Sequence, residues 1–198
     1  MVIQVDSLWG VVVIVMILTW FLFAAIFAFR KKPPKSASVK AENRSRFGII
    51  VQMSSFALLW AVPQRVSGPP FPMPPTIEIL LAALTMVIGP ASCLLSLSAV
   101  RTLGKQWAYI ARVVEGHELV TSGPYNLVRN PIYLGMFGMF LMTGLAWTRW
   151  WAMLIGLVVF LSGTAIRIHS EEKLLRASFG VQFEEYARRV PAFIPWLI

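Results

Sequence analysis

Charge is scarce in this chain, and cysteine is nearly absent. Only 14% of its 198 residues are charged and only nine are acidic, against about 25% charged residues in a typical soluble domain. So few ionisable groups cannot clothe a water-facing surface, and the high apolar content argues equally against a disordered chain. The single cysteine, Cys93, rules out an intrachain disulfide. No CxxC pair or Cys/His cluster is present to hold zinc, and the two histidines, His117 and His169, have no third ligand near them in sequence, so no metal is expected. Also missing are a phosphate-binding P-loop, a GxGxxG fingerprint and any local Ser/His/Asp signature.

Apolar side chains are what the sequence has in excess: 57% of the chain, with a mean hydropathy of +0.68. A helix needs about 20 apolar residues to cross roughly 30 Å of hydrocarbon. Five runs approach or meet this: Leu8–Phe29, Phe47–Val62, Ile77–Val100, Ile132–Trp147 and Trp150–Ile168. The first is followed rather than preceded by basic residues, so it reads as a permanent span and not a cleaved signal. The third carries Gly89-Pro90 in its middle, where a kink is expected. The last two are joined only by Thr148 and Arg149, which forces an antiparallel hairpin. Trp147, Trp150 and Trp151 at that joint suit a membrane interface.

The net charge of +9 would be compatible with nucleic acid, but its placement points to a membrane. Of the 18 basic residues, residues 30–46 hold seven, residues 101–131 four and residues 167–198 five; residues 63–75 and the hairpin joint hold one each. In a five-span chain the three rich segments fall on one side. The positive-inside rule then places the N-terminus outside and the C-terminus in the cytoplasm. The fold class expected is therefore an all-α integral membrane protein of five transmembrane helices. A C-terminal helical extension should continue into the cytoplasm.

Between the spans, residues 63–75 contain six prolines and read as a stiff external loop. Residues 101–131 form a cytoplasmic connection too rich in Trp107, Tyr109, Val113, Val114 and Tyr125 to be disordered. The fifth helix should continue below the membrane through about Ser178, since Arg167, Glu171, Leu174, Leu175 and Phe179 recur at helical steps, and Gly180 should stop it. A short amphipathic turn, Phe183–Arg189, follows.

Three features of the cytoplasmic side carry possible chemistry. Gly123-Pro124-Tyr125 and Val128-Arg129-Asn130-Pro131-Ile132-Tyr133-Leu134-Gly135 fix a turn into the fourth span, able to offer backbone groups to a ligand or simply to start a helix at Pro131. Arg167 and Glu171 share a helix face at the foot of the fifth span, beside Glu172. Ionisable groups there are either a plain interfacial pair or a functional site. The tail Arg188-Arg189-Val190-Pro191-Ala192-Phe193-Ile194-Pro195 reads as a strap on the membrane surface.

Taken together, these runs resemble one pattern. Gly123-Pro124-Tyr125 followed by Val128-Arg129-Asn130-Pro131-Ile132-Tyr133-Leu134-Gly135 is similar to the GPY-x-x-VRHP-x-Y-x-G signature of the isoprenylcysteine carboxyl methyltransferases and related phospholipid methyltransferases. Arg167, Glu171-Glu172, Leu175, Phe179-Gly180, Tyr186, Arg189-Val190-Pro191 and Pro195 resemble the second block of that family. The likeness covers residues 119–198, a methyltransferase-like core, and leaves 1–118 as an N-terminal membrane region. It implies an S-adenosylmethionine-dependent methyltransferase acting on a lipid or prenylated small-molecule acceptor in the membrane. The cofactor positions it implies are Val120, Gly123, Tyr125, Arg129, Asn130, Tyr133, Glu171 and Glu172, with Arg167 and Glu171 at the reacting centre. Asn130 departs from the family's histidine. Asparagine donates and accepts hydrogen bonds but does not titrate, which favours a role in orientation. The rival readings are a nicotinamide-dependent sterol-type reductase and a non-catalytic membrane scaffold; binding of the two cofactors distinguishes them.

Overall fold

A computed structural model describes residues 7–28, 40–41, 43–63, 69, 71–104, 112–113 and 118–194. Most of the basic connection 30–46, residues 64–68 and 70 of the proline-rich loop, Trp107, Tyr109, Val114, His117 and Pro195 lie outside the described residues. The described residues form six α-helices: α1 (Leu8–Ala28), α2 (Asn43–Ala61), α3 (Pro75–Leu103), α4 (Pro131–Trp147), α5 (Trp150–Phe179) and α6 (Val181–Arg189). A 3-10 turn over Gly123–Asn126 leads into α4, and β1 (Lys40–Ala41) pairs antiparallel with β2 (Arg112–Val113).

Three helices, α1, α3 and α5, are long and apolar enough to cross a membrane, while α4 is a shorter apolar helix. The protein is an all-helical membrane protein. Its outward faces carry Phe21 and Leu22, Phe47 and Ile50, Leu84 and Val87, and Ile155 and Val158, all exposed. In water such a surface would be an aggregation liability; in hydrocarbon it is the surface that solvent requires.

Helix α4 is the hub. It packs against α1, α2, α3 and α5, and Tyr133, Met136, Met139, Phe140, Met142 and Ala146 are buried along it. Small residues set the spacing, as expected where helices gain nothing by hiding from water and associate by close packing. The tightest backbone approach at a described glycine joins α2 to α5. A Cβ added to Gly163 would sit 2.6 Å from the backbone N of Gln52, so only glycine admits α2 there. Gly163→Leu is expected to separate the two helices and cost about 1–3 kcal/mol, as overpacking does. Denaturant unfolding in detergent measures this, with the outward-facing Val158→Leu unchanged.

The two ends of the bundle are tied differently. At one end Thr148 Oγ1 donates to Leu59 O at 3.0 Å and the Arg149 N–H donates to Val62 O at 3.3 Å. This pins the α4–α5 joint to the end of α2. Trp60 and Trp147 pack there in a tilted pair, 5.4 Å between centroids. Elsewhere the β1–β2 ladder joins the α1–α2 connection to the α3–α4 connection, so two of the basic segments meet.

Several local expectations hold with adjusted ends. Helix α2 starts before Phe47, and α3 runs unbroken through Pro90. Helix α5 continues past the apolar run and stops at Gly180, whose φ of 49° favours a residue without a Cβ. The expected amphipathic turn is the nine-residue helix α6. It buries Phe183, Tyr186 and Val190 against Leu119, Leu175 and Phe179.

Candidate functional site

The chain folds back on itself around the entry to α4. Arg129, just before that helix, makes the anchoring contacts. Its Nε and Nη2 hold Glu172 Oε1 at 2.9 and 2.8 Å. Its Nη1 donates to Ala187 O at 2.9 Å and also to Val190 O. Its own backbone N–H donates to Pro191 O at 2.9 Å. Glu172 uses its second oxygen on Arg176 at 3.2 Å. A two-pronged guanidinium–carboxylate contact that is nearly out of water is geometrically specific and hard to break, since losing one partner strands the other charge.

Asn130 completes this strap. It is buried, and its Nδ2 donates to Ala192 O at 2.8 Å. Tyr186 closes the loop from the other side, with its hydroxyl donating to Tyr125 O at 2.6 Å. The turn carrying Tyr125, the start of α4, lower α5 and the tail after α6 therefore form one knot. Burial of the Tyr186 phenol pushes its pKa up to about 12, the nearby Arg129 opposing this and Glu172 adding to it. Burial, and then the negative charge of Glu171, also push the Tyr125 phenol up.

The folded state thus holds the Tyr186 proton more tightly than the unfolded chain does. Its contribution to stability is whole below pH 10 and is lost as pH rises through about 12. Alkaline titration followed by far-UV circular dichroism should show an unfolding step in that window, and Tyr186→Phe should reduce it, with Tyr125 supplying the remainder.

Next to the knot lies a second cluster, at the boundary between apolar and polar α5. The Arg167 guanidinium sits 4.5 Å above the Tyr133 ring, a cation over an aromatic face. The Tyr133 hydroxyl donates to Glu171 Oε1. Arg167 Nη1 donates to Gln52 Oε1 at 2.6 Å. Arg167 and Glu171 share a face because they are one turn apart, and Tyr133 reaches across from α4 to meet both. Tyr125 is close enough for Glu171 to act on its phenol.

Of the residues expected at the site, Tyr125, Arg129, Asn130, Tyr133, Arg167, Glu171 and Glu172 are joined through these contacts. Val120 is half-buried and Gly123 exposed on the approach to the turn. Gly123 has a φ of 60°, and a Cβ there would meet Thr102 Oγ1 at 3.1 Å, so the turn lies tight against the end of α3. An open groove of about 370 Å³ runs down α5 from Leu161 past Ala165 and Ile168 to His169 and Glu172, with Phe193 of the tail as its far wall. No group of three or more His, Cys, Asp or Glu suited to a metal occurs among the described residues.

Sequence reasoning missed Gln52 and Thr164. The signal was there to find: Gln52 is the one amide within the apolar run Phe47–Val62, and buried polar groups in such helices mark function or packing. Nothing in the sequence indicated that Gln52 meets Arg167.

Comparison with known proteins accords with this arrangement. The family model for phospholipid methyltransferase matches residues 77–182, which includes the turn, the α4 entry, the α4–α5 hairpin and the Arg167–Glu172 segment. The chain belongs to the phospholipid methyltransferase family. Similar proteins include the cobalt-zinc-cadmium resistance protein CzcN of Cupriavidus metallidurans, 40% identical over 104 residues, 48% of this chain and 44% of that one. Another is protein-S-isoprenylcysteine O-methyltransferase B of Arabidopsis thaliana, 33% identical over 116 residues, 58% of each chain. Methanethiol S-methyltransferase of Crocosphaera subtropica is 39% identical over 77 residues, 37% of this chain and 28% of that one. The chain spans about half the length of the first of the curated relatives it matches. The family match takes in Arg129 to Tyr133 and Arg167 to Glu172, but neither Gln52 nor the tail after residue 182.

Proposed function

We propose that the protein transfers a methyl group from S-adenosylmethionine to a membrane-associated acceptor, a lipid or prenylated small molecule, at the cytoplasmic boundary of the membrane. The observation that carries this is the convergence of Tyr133, Arg167 and Glu171 at the depth where α5 leaves its apolar stretch. We read all five of α1–α5 as spanning, with the N-terminus outside and the C-terminus in the cytoplasm. The pairing of the α1–α2 and α3–α4 connections supports this, since both are basic.

The residues fit such a donor. The chemistry it supplies when bound is a methyl group on a sulfonium cation, which departs as a neutral thioether without further activation. The Glu171 carboxylate and the ring of Tyr125 suit a cation, while the Tyr133 ring carries the Arg167 guanidinium. Backbone groups of 120–123 suit the polar ends of a nucleoside. Glu172, Arg129 and Asn130 act by holding the tail, since their side chains are engaged with it or with one another.

Positioning is the main task left to the protein. Arg167 presents a planar fork that suits a carboxylate acceptor; for an amine acceptor, Glu171 is placed to take the proton. The groove along α5 gives an apolar acceptor a path from the bilayer, past Leu161 and Ile168, as far as Glu172, the neighbour of Glu171. The knot around Arg129 shuts water out from below, which strengthens every charge contact inside.

Purified protein in detergent, given isotopically labelled S-adenosylmethionine and a total lipid extract supplemented with S-farnesylcysteine, should label a lipid-soluble product. Folded protein that binds no donor would refute the reading in favour of a scaffold, and binding of a nicotinamide cofactor instead would favour a reductase.

A further inference from the structure

The family match begins at residue 77, yet the guanidinium central to the proposed site is gripped by a residue of α2, outside it. Gln52 is fully buried. Its Oε1 accepts from Arg167 Nη1 at 2.6 Å, and its Nε2 donates to Thr164 Oγ1 at 2.7 Å. These two bonds use opposite ends of one amide, so they fix which end faces Arg167. Thr164 lies one turn before Arg167 on the same helix. A Cβ on Gly48 would sit 2.7 Å from Arg167 Cγ, so the stem of the arginine fills the notch that this glycine leaves. Gly163 brings the α2 backbone close enough for the amide to reach. The guanidinium is thereby held between Gln52 on α2 and the Tyr133 ring on α4.

We propose that Gln52 is a positioning residue for Arg167, locking its guanidinium in the orientation that receives the acceptor. This rests on the reading of Arg167 as the acceptor-facing cation. A flexible four-bond side chain at a membrane boundary has many rotamers, and one angstrom of misplacement at a reacting centre costs rate steeply. The competing role is interhelical glue alone, in which Gln52 merely knits α2 to α5. Glue would affect unfolding, whereas positioning affects turnover.

Gln52→Met keeps the length and removes both hydrogen bonds; Gln52→Glu restores an oxygen acceptor for Arg167. With labelled S-adenosylmethionine and S-farnesylcysteine plus total lipid extract as probes, Gln52→Met should lower kcat by about ten- to a hundredfold and leave the donor KM unchanged. Gln52→Glu should recover most of the loss. In an Arg167→Ala background Gln52→Met should cost nothing more. A readout apart from activity is the nitrogen NMR of Arg167: its Nη signals, assigned by their loss in Arg167→Ala, should be resolved in the parent protein and merge in Gln52→Met as rotation is freed. Should Gln52→Met not fold, Thr164→Val, which removes only the second anchor of the amide, should show a smaller loss of the same kind.

Unchanged kcat in folded Gln52→Met, or a loss that Gln52→Glu does not recover and that follows lowered stability, would overturn the proposal. If Arg167→Ala itself keeps full turnover, the reading of the site fails instead, while the NMR signals still report whether Gln52 clamps the guanidinium.

Discussion

Arg167→Ala is expected to lower kcat for methyl transfer by about a thousandfold while the affinity for S-adenosylmethionine changes little. The reason lies in where the guanidinium is held. It rests on the Tyr133 ring and on Gln52, with the Glu171 carboxylate beside it. Removing a preorganised donor at a reacting centre typically costs a hundred- to a thousandfold, and a full guanidinium lies at the upper end. Arg167→Lys keeps the charge but loses the planar fork, so it should recover only part of the rate. The alanine variant also leaves the buried Gln52 Oε1 without its donor, at about 1–3 kcal/mol of stability; an unfolding measurement beside the kinetics separates the two effects. Equal losses of donor affinity and turnover would move Arg167 from the acceptor to the donor.

Glu171→Gln is expected to act on the other reactant. It preserves the shape of the side chain and a partner for the Tyr133 hydroxyl while removing the charge. If the carboxylate faces the sulfonium, affinity for S-adenosylmethionine should fall by about ten- to a hundredfold, the range for losing a charge-assisted contact. Affinity for S-adenosylhomocysteine, the neutral thioether, should scarcely move. Equilibrium binding of both compounds to parent and variant isolates the charge from the fit. An equal fall for both would mean that Glu171 shapes the site without facing the cation.

The family match includes Arg129, Asn130 and Glu172 of the knot and ends at residue 182, before Tyr186 and the tail that they hold. Arg129, Asn130, Glu172 and Tyr186 are engaged mainly with the tail, the Tyr125 turn and one another. They tie the start of α4, lower α5 and the tail together. Asn130 fits this role: what Ala192 O needs is an N–H donor, and an amide supplies it without titrating.

Much was legible in the sequence because it depends on local chemistry. The apolar runs, the hairpin at Thr148-Arg149, the helix stop at Gly180 and the one-turn spacing of Arg167 and Glu171 follow from hydrocarbon length, glycine conformation and helix period. The paired segments Gly123–Gly135 and Arg167–Pro195 were recognisable as motifs for the same reason, since their turn residues stand at fixed offsets. Tertiary structure alone decided which partners those side chains take. Sequence spacing relates residues on one helix, but Gln52 and Arg167 meet across two helices through the gaps at Gly48 and Gly163, and Arg129 finds carbonyls of a tail far along the chain. Such meetings depend on close packing between surfaces, which no periodicity within a single segment encodes.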